Sequence, residues 1–276
     1  MAIRTGSAAG TLRVGLVQMR CVPNDPAANL ARAIAGIEDA AARGAELVCL
    51  QELFRTPYFC QAEEQARFDL AEPVPGPSTE HLQRVCAATG ASLVVGLAER
   101  DGDVLYNTAA YLGPDGLLGR YRKVHLFDRE ARVFAPGPEP FPVFPFGECT
   151  LGLMICFDWI FPEAARSLAL LGADLIAHPS NLVLPYCHAA MVTRALENGV
   201  FTATANRIGT EARAGRSLTF TGGSRVIDPR GRVLAAAGTD TEETIVVEID
   251  PAAARDKMIT EHNHRLADRR PELYRL

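Results

Sequence analysis

Twice along the chain a short apolar run, an amphipathic stretch and a second apolar run follow one another, and each series closes on a hairpin signal. In the first half "LRVGLVQM" (12–19) reads as a strand, "NLARAIAGIEDAAARG" (29–44) as an amphipathic helix ending at glycine, and "AELVCLQE" (45–52) as a second strand. Ser78 and Thr79 offer capping hydroxyls to a helix running through "EHLQRVCAATG", which leads to the strand "ASLVVGLAE". "VLYNTAAYLGPDGLLGRYRK" then folds back at Gly-Pro-Asp-Gly. From Cys149 the order repeats: strand 149–156, helix about 161–172, strand "DLIAHPS", helix about 187–198 and strand "VFTATANRI". A second hairpin at 222–238 and a last strand, "ETIVVEID", complete it.

That order predicts an α/β protein with mixed sheets. Apolar residues on both faces of so many strands suit two sheets packed together with helices outside. With 276 residues, 48% of them hydrophobic, one large core suffices, so a single domain is expected over 11–276 behind a flexible tail, "MAIRTGSAAG". The stretches "PVPGP" and "APGPEPFPVFPFG" read as turns and extended loop. The final "NHRLADRRPELYRL" is too polar for a core strand, and either crosses a subunit boundary or forms an exposed tail.

A net charge of -5 gives no electrostatic reason for a nucleic-acid partner. No signal-peptide core or membrane-length apolar run is present, which predicts a cytoplasmic protein without a membrane partner. The seven cysteines are odd in number and widely spaced, several within apolar runs, so buried free thiols are expected rather than disulfides. The six histidines form no HExxH pattern, no CxxC pair occurs, and no glycine-rich nucleotide loop follows a strand. Neither metal nor cofactor is predicted.

Three chemically able residues stand where strands run out. Cys156 ends the run "LGLMIC" just before a helical stretch, whose free N–H groups favour a thiolate and can hold an oxyanion. Glu52 follows "ELVCLQ", and Lys123 follows the first hairpin; alone, each reads more readily as a surface residue. Glu130, in "DREAR", fits an ordinary exposed turn. Together they supply a nucleophile for a carbonyl or nitrile carbon, a base and an oxyanion-stabilising cation, with no need of histidine.

The segments "QELF", "YRKVHLF" and "GLMICFDWIFPEAAR" resemble the three signature stretches of the nitrilase-like carbon-nitrogen hydrolase superfamily, and the likeness runs from "VGLVQM" to "DRRPELY". The resemblance implies a four-layer alpha-beta-beta-alpha sandwich, no cofactor, and a homodimer built from outer helices with the C-terminal tail reaching the partner. It also implies roles: Glu52 as general base, Lys123 as oxyanion cation, Cys156 as nucleophile, Glu130 as the second glutamate near the lysine, and the Phe157 N–H as part of the oxyanion hole.

"CFD" resembles the amidase and carbamoylase branches rather than true nitrilases. Carbamoylases of D-amino acids carry an arginine pair shortly after the nucleophile, where this chain has Trp159 and Ile160. A small, uncharged aliphatic amide is therefore the expected substrate, unless Arg194 or Arg207 supplies a carboxylate anchor; an N-carbamoyl amine and a nitrile are the alternatives. Tyr58, Phe59, Trp159, Asn181 and Tyr186 are the candidate pocket residues beyond the strands. Trp159 reads equally as packing for its helix, and Asn181 as satisfying a turn.

Overall fold

In the computed structural model, which describes residues 10–58, 60, 69–213 and 215–275, each predicted series builds one six-stranded sheet. The first contains β1 (Leu12–Gln18), β2 (Leu47–Cys49), β3 (Ser92–Asp101), β4 (Val104–Gly113) and β5 (Gly116–Arg122). The second contains β6 (Val143–Phe146), β7 (Cys149–Leu153), β8 (Leu175–Pro179), β9 (Phe201–Ala205), β12 (Arg225–Ile227) and β13 (Val233–Ala236). The chain returns through β14 (Glu243–Ile249) to the first sheet, whose order is β14-β1-β2-β3-β4-β5; the second runs β13-β12-β9-β8-β7-β6. In each, three parallel strands lie at the centre with antiparallel neighbours on both sides.

Side-chain alternation makes the layers. Val14, Leu16, Leu47, Cys49 and Val94 meet Leu151, Leu153, Leu175, Ala177 and Ala203 between the sheets. The intervening Val17, Val48, Leu93 and Val95 point outward, onto α1 (Pro26–Ala42) and α2 (Pro77–Thr89). On the other side, Met154 and Ile176 pack on α3 (Pro162–Leu170), and α4 (Cys187–Asn198) follows over β9 and β12. The result is the expected four-layer alpha-beta-beta-alpha sandwich. No helix among the described residues is long and apolar enough to cross a membrane.

Several boundaries move for local reasons. Helix α1 starts three residues before the expected Asn29, because Pro26 presets the first turn and Asp25 accepts from the Ala28 N–H at 2.9 Å. Helix α2 is capped from inside: Thr79 accepts the Gly76 N–H at 2.7 Å, whereas the Ser78 hydroxyl has no partner. The stretch read as loop at 135–147 contains β6, an edge strand that tolerates Pro145. A hairpin absent from the sequence reading, β10 (Ile208–Arg213) and β11 (Arg216–Thr221), stands apart from both sheets. The tail beyond β14 is anchored, with the Lys257 ammonium donating to the Asn198 and Gly199 carbonyls at the end of α4. All seven cysteines are free and buried. The expected N-terminal tail, up to residue 9, and Phe59 lie outside the described residues.

Candidate active site

Glu52, Lys123 and Glu130 come from three separate segments and meet in the interior, each with no solvent exposure. Glu52 follows β2 in a turn pressed against β3 so closely that a Cβ on Gly96 would lie 2.5 Å from the Glu52 Cα. Lys123 is the first residue after β5, and its N–H still pairs with the Asn107 carbonyl of β4 at 2.8 Å. Glu130 sits in a 3-10 turn, Asp128–Arg132, buried where the sequence allowed an exposed turn.

The ammonium of Lys123 donates to Glu52 Oε1 at 2.7 Å and to both oxygens of Glu130, Oε1 at 3.0 Å and Oε2 at 2.8 Å. Its three hydrogens are thus all engaged at rest. Burial opposes the charge on Lys123, but Glu130 and Glu52 outweigh it and hold the ammonium well above the ordinary lysine range. Burial pushes the Glu130 carboxyl up against the lowering pull of Lys123, with Glu52 adding to the rise. Tyr58 donates to Glu130 Oε1 at 2.8 Å, and burial followed by Glu130 keeps its phenol protonated. Asn107 donates to Glu52 Oε1 at 2.7 Å, leaving Glu52 Oε2 buried without a partner.

Cys156 opens a short 3-10 turn, Cys156–Ile160, three residues beyond the end of β7. Strand pairing ends at Leu153 instead of 156, and the first α-helix starts only at Pro162. The expectation of a thiolate held by helix N–H groups is therefore corrected: burial and the charge of Glu52 push the thiol well above the ordinary cysteine range, although Lys123 and the Asn181 N–H pull it down. Its φ of 40° lies in the left-handed region, as do Leu53 (48°), next to Glu52, and Asp128 (47°), two residues before Glu130. Three of the four described non-glycine residues with positive φ thus adjoin the site, where such strain is held by surrounding contacts.

Those contacts are visible. Asp158, fully buried, accepts from the Ile155 N–H at 2.8 Å and the Tyr121 hydroxyl at 2.9 Å, and its other oxygen meets His125 Nδ1 at 2.8 Å. It binds the nucleophile turn to the segment carrying Lys123. His178 holds the Cys156 carbonyl at 2.9 Å through Nε2. Arg207, also fully buried, donates to the carbonyls of Glu52, Leu53 and Thr56 and pairs with Glu211, which in turn accepts the Tyr58 N–H at 2.7 Å. Asn107 and His178 were not read as site residues, and Arg207 was considered only as a carboxylate anchor, although a polar side chain inside an apolar strand or at its end was a usable signal.

The remaining candidates divide. The buried side chain of Asn181 has neither amide atom partnered, unlike a turn-satisfying asparagine. Trp159 is 5% exposed and joins the inter-sheet core, while its carbonyl accepts from Arg194 at 3.2 Å. Phe157 makes edge contacts with Phe127 and Phe161. Tyr186 is 64% exposed at the start of α4, outside the buried cluster. Arg194 pairs with Glu197, so both arginines considered as carboxylate anchors are already engaged.

A two-sheet sandwich bringing a cysteine, a lysine and two glutamates together defines a cysteine-nucleophile hydrolase. The family description Carbon-nitrogen hydrolase matches residues 13–257, and the chain belongs to that family. It is 47% identical over 264 residues to a nitrilase of Pyrococcus abyssi, covering 95% of this chain and 99% of the relative. It is 33% identical to the N-carbamoylputrescine amidase of Solanum lycopersicum, covering 95% and 93% respectively. A solved structure of a variant amidase from Nesterenkonia sp. AN1, with the acetamide moiety of fluoroacetamide covalently added at its active-site cysteine, superposes with a TM-score of 0.79 at 29% identity, over 96% of this chain and 97% of that one. The chain is a hydrolytic enzyme of this superfamily, with an amidase- or nitrilase-type mechanism.

Proposed function

We propose that the enzyme hydrolyses a short aliphatic amide to a carboxylic acid and ammonia through a thioester on Cys156. The observation that carries this reading is the unpartnered Glu52 Oε2, the one oxygen of the cluster left to take a proton beside a thiol that is protonated at rest. Glu52 accepts the Cys156 proton as sulfur bonds to the amide carbon, and the carbonyl electron pair moves onto oxygen. The Phe157 N–H and Lys123 receive that charge. Lys123 frees a hydrogen for it by releasing its longer contact, 3.0 Å to Glu130 Oε1, an oxygen the Tyr58 hydroxyl continues to satisfy. The oxyanion collapses, Glu52 passes its proton to the leaving nitrogen, and ammonia departs. Water then gives a proton to Glu52 and attacks the thioester; collapse releases the acid, and the sulfur regains its proton. In this reading the Asn181 amide, which has no partner among the described residues, orients the substrate nitrogen.

The Nesterenkonia amidase supports an amide substrate, while the Pyrococcus abyssi relative favours a second reading, nitrile hydrolysis by the same thiol. Propionamide, glutaramate, carbamoylputrescine, beta-ureidopropionate and a dinitrile, followed by ammonia release and product mass, separate the possibilities. Turnover of the simple amides is the expected result. If they remain untouched while a carbamoyl compound or the dinitrile reacts, the amide reading falls.

We also propose a homodimer built on the outer helices. Leu170 and Leu171 at the end of α3 and Leu196 on α4 are at least half exposed, as are Ile259 and Leu273 in the tail. Sedimentation velocity at micromolar concentration should give twice the chain mass; a monomer alone would exclude the dimer.

A further inference from the structure

Among the described residues one histidine touches the nucleophile, and it does so through the backbone. His178 lies in β8 opposite Thr204 of β9 and is fully buried. Its Nε2 is 2.9 Å from the Cys156 carbonyl oxygen and its Nδ1 is 3.1 Å from the Thr204 hydroxyl. A carbonyl can only accept, so Nε2 carries the hydrogen, and in the neutral ring Nδ1 then accepts from Thr204. Burial lowers the imidazole below its ordinary range, against the raising effect of the Cys156 carbonyl, and so favours that neutral form. The Ser180 hydroxyl, 3.2 Å from Nε2, lies equally close to the His178 carbonyl and can donate there without displacing the bond to Cys156.

The group that His178 holds has a second end. The Cys156 carbonyl and the Phe157 N–H belong to one trans peptide, in which the two bonds share a plane and point in opposite directions. Fixing the oxygen from one side therefore fixes the N–H on the other. Local preference alone would not hold that peptide, because Cys156 has the left-handed φ of 40°. The Phe157 N–H donates to no group among the described residues, so it is available to an incoming acceptor. A bond accepted by the carbonyl also draws electron density from nitrogen to oxygen, which strengthens the N–H as a donor by about 10 to 30%. The same segment reaches the sulfur, since the Asn181 N–H, three residues beyond His178, bonds to the thiol. The end of β8 thus grips Cys156 at both its carbonyl and its side chain.

We propose that His178 is a positioning residue for the oxyanion hole: through the Cys156 carbonyl it sets the direction, and raises the donor strength, of the Phe157 N–H that receives charge when the thiol adds to a carbonyl carbon. This rests on the reading of Phe157 as an oxyanion donor. His178 itself neither takes nor gives a proton and does not touch the substrate. Thr204 fixes its tautomer, so the Thr204 hydroxyl, the imidazole and the peptide all donate in one direction, towards the oxyanion. The buried histidine of "DLIAHPS" thereby has a part in the reaction that leaves every proton transfer to Glu52.

The test uses two reagents for the same sulfur. Propionaldehyde adds as an amide does: sulfur bonds to the carbonyl carbon, the carbonyl pair moves onto oxygen beside the Phe157 N–H, and the thiol proton passes to Glu52. Iodoacetamide is attacked at its methylene carbon and the charge leaves as iodide, so that reaction does not call on the hole. Aldehyde affinity is read from protection of Cys156 against iodoacetamide, followed by peptide mass, and needs no turnover. His178→Leu should weaken propionaldehyde by about 10- to 100-fold, somewhat less than removing an oxyanion donor itself, and lower kcat for propionamide by a similar factor with KM little changed. The alkylation rate without aldehyde should stay within about threefold of wild type, as expected where no oxyanion forms. His178→Gln, whose amide nitrogen can take the place of Nε2, should recover most of the loss. Unchanged aldehyde affinity in His178→Leu overturns the proposal. A parallel fall in both reactions does so too, being the mark of a turn that has lost its shape, as does a wild type that the aldehyde fails to protect. If wild type binds the aldehyde in a His178-dependent way yet hydrolyses no amide, the amidase reading falls and the positioning role stands.

Discussion

Replacing Cys156 with serine should reduce kcat for amide hydrolysis by at least about three orders of magnitude while leaving the melting temperature within a few degrees of wild type. The substitution exchanges sulfur for oxygen at a nearly buried position whose backbone is held by His178 through its carbonyl and by Asp158 through the adjacent N–H. Those contacts do not involve the side chain, so the left-handed turn should persist. A hydroxyl is a much poorer nucleophile without a base matched to it, and in the proposed mechanism Glu52 serves a thiol. The same geometry predicts the pH response of the unmodified protein. Burial and Glu52 push the Cys156 thiol well above the ordinary range, so the thiolate does not accumulate between pH 7 and 9. Alkylation of Cys156 by iodoacetamide, followed by peptide mass, should therefore lack the rise centred near about 8.5 shown by a free cysteine. Retained activity in a well-folded Cys156→Ser protein would overturn the nucleophile assignment; a thiolate titration at that ordinary position would overturn the resting thiol that Glu52 is proposed to deprotonate.

Much of this site was legible because its polar members interrupt strong apolar patterns. Glu52, Lys123 and Cys156 stand at or just beyond strand ends, and local periodicity locates strand ends well. The route from strand to nucleophile was not legible. "LGLMIC" is apolar throughout, yet pairing stops at Leu153, since Met154 and Ile155 stay buried after the chain has left the ladder and Cys156 turns left-handed. Hydrophobicity reports burial and carries no information on φ. Hairpin β10–β11 escaped notice for the opposite reason. Its strands are mostly half-buried or exposed, so "IGTEAR" and "RSLTFT" lack the apolar density that marked the sheets. That hairpin nevertheless carries Glu211, which holds the Tyr58 N–H and pairs with Arg207, and thereby braces both the base loop and the phenol on Glu130.

The second large effect is expected from Lys123→Met, which keeps the length of the side chain and removes its charge. Glu52 and Glu130 would then face each other in the interior with only Asn107, Tyr58 and the Phe127 N–H as donors. Removing one partner of a buried charge cluster costs about 3 to 5 kcal/mol, because the charges left behind remain out of water. For a chain of this size that is a fall in melting temperature of roughly 6 to 20 °C. Activity should be lost as well, since no cation remains for the oxyanion. A second substitution separates the two losses. Glu130→Gln in the Lys123→Met background removes one of the two like charges and keeps an oxygen for the Tyr58 hydroxyl, so stability should recover in part while activity does not. The pH dependence has a definite sign. The Glu130 carboxyl is already raised above its unfolded value, mainly by burial, and loss of Lys123 removes the main pull downward. The folded Lys123→Met protein should thus bind more protons than the unfolded chain from about pH 4.5 upward, and its stability should fall as pH rises through that window, more steeply than in wild type. Urea unfolding of the single and double variants at pH 5 and pH 8 measures both effects. If Lys123→Met is equally stable at the two pH values and Glu130→Gln restores nothing, the lysine is not what holds the two carboxylates together.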